Sequence, residues 1–282
     1  MSKGTDANAR GAHDAAFTGV SVSKLNLEID GRHILRDVDL EIPAGKVTGL
    51  AGESGSGKTM TGLAILGLQP EDAKVSGRIE FEGVDLLSLG ERQRNAYRGR
   101  HIAMVFQDPT ASMHPMLTVG RQLADHMRFH LGLTKAQARE RALELLSLVK
   151  VPEPEEALGK YPHQFSGGQL QRIAIAIAVA CRPELIIADE PTTALDVTVQ
   201  AGILRLLRHL CDTFGTAIVL VSHDLGVMSA LADDIVVMRE GEIVERGSRY
   251  EVIRSPKHPY TRQLIDSLPK SIMEHRRQEE ER

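Results

Sequence analysis

Residues 52–59 read Gly52-Glu53-Ser54-Gly55-Ser56-Gly57-Lys58-Thr59 and meet every fixed position of the phosphate-binding pattern G-x-x-x-x-G-K-[ST]. The pattern restricts the fold because it works only between a strand and a helix. The run Lys46-Val47-Thr48-Gly49-Leu50-Ala51 supplies the strand, and Leu63, Ala64, Leu66 and Leu68 supply a helical pattern after Thr59. Gly52, Gly55 and Gly57, with Ser54 and Ser56 between them, let the backbone curl so that successive N–H groups face phosphate oxygens. The helix N-terminus adds its partial positive charge. In this pattern Lys58 reaches the β- and γ-phosphates of a nucleoside triphosphate, and the Thr59 hydroxyl ligates Mg²⁺.

The rest of the chain predicts an α/β fold around that loop. Residues 1–19 read as a disordered leader, with no apolar core for a signal peptide. Strands are expected over residues 20–29 and 34–42, joined at Asp30-Gly31, and over 77–81, followed by a Glu82-Gly83 turn. A charged helix is expected over 89–98 and a buried strand over 102–106. A mostly helical section then runs from about 117 to 165. Its best helix starts after Thr134 and puts Leu143, Leu146 and Val149 on one face, and residues 151–159 read as a loop. Residues 169–181 alternate isoleucine with alanine, which imitates a strand. Alanine is a strong helix former and both faces are apolar, so a buried helix is the better reading. Strands over 185–188, 217–221 and 235–238 follow, with a helix over 199–214 and a hairpin turn at Glu240-Gly241. Buried strands alternating with helices mean a mostly parallel sheet covered on both faces. The earlier hairpins make an antiparallel β-subdomain, and residues 270–282 are a solvated charged tail.

Four of the buried strands run into polar residues: the loop after Ala51, Gln107 after Phe106, Asp189-Glu190 after Ala188, and His223 after Ser222. In open parallel sheets ligands sit at the carboxyl ends of the strands, so all four meet around the triphosphate. On that rim Asp189 has the character of a carboxylate that holds Mg²⁺ through water, and Glu190 can accept a proton from attacking water. The candidate roles of His223, otherwise a structural histidine, and of Gln107, otherwise a polar loop residue, are to hydrogen-bond the γ-phosphate and to sense Mg²⁺ and the water. Ser166-Gly167-Gly168-Gln169 opens the alanine-rich helix and forms a second anion-binding concavity. One chain with one phosphate loop needs no second concavity, so the economical arrangement is a head-to-tail dimer in which each chain caps the other's nucleotide.

Composition narrows the partners. A formal net charge of -4 argues against non-specific nucleic-acid binding. The two cysteines, Cys181 and Cys211, are too few for a metal cluster and suit a reducing compartment. The longest apolar run, residues 173–181, is far short of the about 20 residues a membrane helix needs. Any work at a membrane is done from the side.

Taken in order, the phosphate loop, Gln107, Phe165-Ser166-Gly167-Gly168-Gln169, residues 185–190, Ala194-Leu195-Asp196 and His223 resemble the ATP-binding-cassette ATPases over about residues 20–269. The resemblance implies ATP and Mg²⁺ as ligands and a nucleotide-sandwich dimer. Lys58, Thr59, Asp189 and Glu190 act in cis, Ser166 and Gly168 act in trans, and Asp196 lies at the seam. Three further stretches look like the peptide/nickel importer branch: residues 106–115, Tyr161-Pro162-His163-Gln164, and Ser255-Pro256-Lys257-His258-Pro259-Tyr260-Thr261. The last marks residues 251–269 as that branch's C-terminal extension. Thr192-Thr193-Ala194 is more like the first of the two ATPase subunits such importers carry, which favours a heterodimer. The implied setting is the cytoplasmic face of the inner membrane, with two permease subunits and an extracytoplasmic binding protein. Two departures stand out. Ile29-Asp30-Gly31 offers no ring where many cassettes stack an aromatic on adenine, and the tail has no cysteine, so no iron–sulfur cluster is expected. A soluble cassette acting on ribosomes or DNA would bring tandem cassettes or a coiled-coil insertion. A regulatory subunit with a dead site would have lost Glu190 or His223.

Overall fold

Because the strands carry uninterrupted apolar runs, the fold is set by what covers each face. The computed structural model describes residues 17–193 and 195–267. Most of the expected leader, Ala194 and the expected charged tail lie outside the described residues. The chain opens with β1 (Gly19–Ile29), β2 (Arg32–Pro43) and β3 (Val47–Ala51), and the loop then leads into α1 (Lys58–Leu66). Next come β4 (Lys74–Phe81), β5 (Val84–Asp85), α2 (Glu91–Tyr97) and β6 (Ile102–Val105). Helices α3 (Val119–Leu131), α4 (Lys135–Leu148) and α5 (Pro154–Ala157) precede α6 (Gly167–Val179). The second half alternates β7 (Leu185–Asp189), α7 (Val197–Phe214), β8 (Ala217–Ser222), α8 (Leu225–Leu231), β9 (Asp234–Arg239) and β10 (Glu242–Ser248). It closes with α9 (Arg249–Arg254) and α10 (Pro259–Asp266).

Two sheets form. One is antiparallel, in the order β2-β1-β4-β5; the other has the order β10-β9-β3-β8-β7-β6 and is parallel except at the β9–β10 hairpin. Alternate residues of one strand feed opposite cores. Leu185 and Ile187 of β7, with Val219 and Val221 of β8, pack toward the antiparallel sheet and α1. Ile186 and Ala188, with Ile218 and Leu220, pack toward the helices on the other face. The expected turns at Asp30-Gly31, Glu82-Gly83 and Glu240-Gly241 all have positive φ at both positions, the backbone of tight hairpins whose twist matches their strands.

The alanine-rich segment is the helix α6, with Ile173, Ile175 and Ala176 fully buried. Three expectations need correction. The strand expected over 102–106 ends at Val105, and Phe106 is exposed where the chain leaves the sheet edge. Residues 154–157 form the short helix α5 within the expected loop, because Pro154 presets its first turn and Glu155 and Glu156 suit its positive end. On α4, Thr134 caps as expected, with the Gln137 amide donating to its hydroxyl. The buried stripe, however, is Ala138, Ala142, Leu145, Leu146 and Val149, and Leu143 sits at its half-buried margin. Leu145→Ala should therefore cost about 2–4 kcal/mol in urea unfolding, and Leu143→Ala about 1 kcal/mol or less.

Candidate active site

Neighbouring parallel strands in register bring their carboxyl ends to one edge. Val105 of β6 pairs with Ala188 of β7, Asp189 with Val221 of β8, and Ser222 with Ala51 of β3. The loop, Gln107, Glu190 and His223 accordingly line a single cleft of about 760 Å³, a volume within the usual range for a small-molecule site. The sequence-level expectation of one shared rim holds for these groups.

The loop is wound tightly. Gly52 has φ 147, and a β-carbon there would stand 2.2 Å from the Met238 carbonyl oxygen, so only glycine fits. Lys58 folds back over the loop: its ammonium donates to the carbonyls of Gly52 (2.8 Å) and Glu53 (2.7 Å) and to the Ser56 hydroxyl (3.4 Å). Burial lowers the Lys58 pKa, partly offset by Glu190, Asp189 and Glu53. Two further bonds hold the loop from outside. Gly241 N–H donates to the Ser56 carbonyl at 3.1 Å, and Glu53 N–H donates to the Tyr260 hydroxyl at 2.9 Å.

Beyond the loop, the Thr59 hydroxyl donates to Asp189 Oδ1 at 3.0 Å. Asp189 is buried, and that burial raises its pKa, with Glu190 adding to the effect and Thr59 and Lys58 opposing it. Glu190 adopts a left-handed backbone, φ 46, held by its N–H to the Val221 carbonyl at 2.9 Å. Such a conformation costs a non-glycine residue about 1–2 kcal/mol; here it aims the carboxylate at the cleft. Glu190 Oε1 accepts from His223 N–H (3.0 Å) and lies 2.7 Å from His223 Nδ1, while Oε2 accepts from the Thr193 hydroxyl (3.0 Å). His223 is largely exposed.

Mg²⁺ takes oxygen ligands and keeps several waters, so it needs only one or two protein groups. The adjacent Thr59 hydroxyl and Asp189 carboxylate, with the exposed Gln107 on the same cleft, fit that demand. Among the described residues no cluster of three or more His, Cys, Asp or Glu side chains could cage a metal by itself.

Ser166, Gly167, Gly168, Gln169 and Asp196 do not join this cleft. Ser166 caps α6 in a reciprocal pair with Gln169: Ser166 N–H donates to Gln169 Oε1 (2.9 Å), and Gln169 N–H donates to Ser166 Oγ (3.4 Å). Gly168 is needed where α6 meets α7, since a β-carbon would stand 2.8 Å from Val199 Cγ1. Asp196 caps α7 by accepting from Val199 N–H at 2.9 Å. Ser166 and Gly167 are exposed, and so is Val197 beside the Asp196 cap.

The family model described as "ABC transporter" matches residues 35–193. This chain belongs to the ABC transporter ATPase family. A second model, "Oligopeptide/dipeptide transporter, C-terminal region", matches residues 244–282 of this ABC ATPase. Curated relatives include a probable peptide ABC transporter ATP-binding protein of Sinorhizobium fredii, 49% identical over 83% of this chain and 71% of the relative. The dipeptide transport ATP-binding protein DppD of Haemophilus influenzae is 47% identical over 82% and 71% of the two chains. The oligopeptide transport ATP-binding protein OppD of Salmonella typhimurium is 44% identical over 84% and 70%. Among solved structures, a dimeric ATP-binding cassette in a post-hydrolysis state bound to ADP and Pi superposes with a TM-score of 0.74. It is 29% identical, and the match covers 82% of this chain and 98% of that one.

Sequence reasoning missed the groups that brace this ABC ATPase site from outside the loop: Tyr260, Arg239, whose guanidinium lies 5.1 Å from the Tyr260 ring centre, and Thr193. Tyr260 was visible only as part of a branch motif, because nothing local announces that a C-terminal tyrosine reaches residue 53. Asp189 yields a pH test. Its folded pKa lies above the ordinary 3.8, so the native state binds the proton more tightly and stability falls as pH rises through that window. Without nucleotide and Mg²⁺, Asp189→Asn should melt about 1–3 °C higher than wild type at pH 7. The gap should narrow as pH falls toward 3.8, and ATP hydrolysis should be lost.

Proposed function

We propose that this chain is the peripheral ATPase subunit of an importer of di- or oligopeptides, docked on two membrane permease subunits at the cytoplasmic face of the inner membrane. The observation that carries the reading is the oligopeptide/dipeptide C-terminal region over residues 244–282, which includes the tyrosine that grips the phosphate loop. The peptide names of the relatives point to the same cargo class. An extracytoplasmic binding protein delivers the cargo, and no nucleic acid takes part. Among the described residues no helix is long and apolar enough to cross a membrane. Residues 20–250 form the cassette, with a helical insertion over about 117–165, and residues 251–269 form the branch extension.

The mechanism follows from the cleft. ATP lies with its phosphates on residues 52–59, where Lys58 exchanges loop carbonyls for β- and γ-phosphate oxygens. Thr59, Asp189 and Gln107 would hold Mg²⁺, and the ion would supply positive charge against the charge that develops on the phosphates. Glu190 is the general base for the attacking water. Its two contacts to His223 and its contact to Thr193 fix the carboxylate's direction, and the exposed face of His223 meets the γ-phosphate.

Ser166, Gly167, Gly168 and Gln169 serve the partner's nucleotide. The helix start of α6 is exposed and presents N–H groups outward, and the first turn of α7, which follows the exposed Asp196 and includes Val197, meets it through Val199 at Gly168. A second ATPase subunit, different in sequence, completes the sandwich.

Two experiments test this reading. Glu190→Gln removes the proton acceptor but keeps an oxygen for His223 N–H, so ATP should still bind while hydrolysis falls at least about 100-fold and the subunit pair stays closed. Unchanged hydrolysis would remove Glu190 as the base. In liposomes holding the permease and partner subunits, peptide-loaded binding protein should raise ATPase activity and nickel-loaded protein should not. The reverse pattern replaces peptide with nickel as the cargo.

A further inference from the structure

The cleft has a polar and an apolar side. Glu190, His223 and Gln107 stand beyond Thr59, where the phosphates end. Among the described residues its apolar lining comes from three half-buried aliphatic side chains on three separate elements: Ile34 of β2, Met60 of α1 and Leu264 of α10. Ile34 belongs to the loop's other flank, since its carbonyl oxygen would stand 3.3 Å from a β-carbon on Gly57. Leu264 belongs to the same flank through Tyr260, one helical turn earlier on α10, whose hydroxyl accepts the Glu53 N–H. The β1–β2 hairpin, by contrast, carries Asp30 and Gly31 at its tip and no Phe, Tyr or Trp on either strand.

Helix α10 is held firmly enough to form a wall. Glu245 of β10 accepts the N–H groups of Lys257 (2.8 Å) and His258 (3.0 Å), bringing the chain to the helix start. His258 then caps the helix by accepting Tyr260 N–H at 3.2 Å, and Pro259 opens its first turn. Tyr260, Thr261 and Ile265 are buried on one stripe. Leu264 shares that stripe, packs against the core on one side and stays half-exposed where it lines the cleft.

We propose that the C-terminal segment completes the nucleotide site: Leu264, with Ile34 and Met60, forms an aliphatic slot that takes the base. A flat heterocycle entering it covers apolar surface left open in this structure, and it is gripped by burial rather than by ring stacking. Leu264 is then a binding residue contributed by the segment beyond the cassette, and Tyr260 is a positioning residue that sets both the loop and the slot.

The proposal rests on the loop being the triphosphate site, and inorganic tripolyphosphate tests that premise separately because it carries no base. Binding of Mg-ATP and of Mg-tripolyphosphate is measured by calorimetry on wild type, Leu264→Ala and Leu264→Met. Leu264→Ala should weaken ATP about 10-fold, Leu264→Met should stay within about twofold of wild type, and tripolyphosphate should bind all three alike. Equal losses for both ligands would mean that Leu264 only braces the loop, and unchanged ATP affinity would mean that the base lies elsewhere; either overturns the slot. Failure of tripolyphosphate to bind wild type would instead overturn the loop assignment itself.

Discussion

Parallel pairing of β3, β8, β7 and β6 is the constraint on which the rest of this molecule depends. Residues 51, 222, 189 and 105 are linked by register or lie one step from it, so the chain segments that follow all emerge at one edge. Each strand is buried on both faces and cannot slip by one residue without moving its apolar set to the wrong core. The chemistry of the rim therefore inherits the rigidity of the sheet. Glu190 can hold a left-handed backbone there because its N–H bonds to the Val221 carbonyl and its carboxylate is held by His223 and Thr193.

The phosphate loop is stabilised by its own lysine. Lys58 satisfies two carbonyls and a hydroxyl of its own loop, which offsets the cost of burying an ammonium. Two bonds from distant segments, at Gly241 and Tyr260, keep the same loop shaped from outside. In the proposed mechanism, displacing Lys58 from those carbonyls toward phosphate oxygens would exchange neutral acceptors for charged ones, and ligand binding would strengthen the contact.

Much of this was legible beforehand because the signals are local. The octapeptide at 52–59 carries its own strand and helix, and the D-G and E-G turns carry their own left-handed backbone. The alanine-rich segment was readable as a helix despite its period of two, since alanine excludes the strand reading on propensity and α6 follows suit. Packing direction was harder to read. Of Leu143, Leu146 and Val149, the neighbours of α4 cover Leu146 and Val149 together with Ala138, Ala142 and Leu145, and leave Leu143 at the half-buried margin. A polar run containing Pro154 reads as a loop until Pro154 is seen to open a turn of helix with Glu155 and Glu156 in it.

The sequence by itself determined the strand-end residues and, through the rule that parallel strands bring their carboxyl ends together, the set Lys58, Thr59, Gln107, Asp189, Glu190 and His223. Those positions need only the order of the elements. Ser166 and Asp196 stay outside the cleft of their own chain, in keeping with the head-to-tail expectation from the sequence; tertiary structure alone decided that Tyr260 reaches the phosphate loop and that Leu264 lines the cleft. The physical reason is contact range. A hydrogen bond between residues 53 and 260, or an aliphatic slot built from β2, α1 and α10, joins positions some two hundred residues apart along the chain, and no local propensity encodes the meeting.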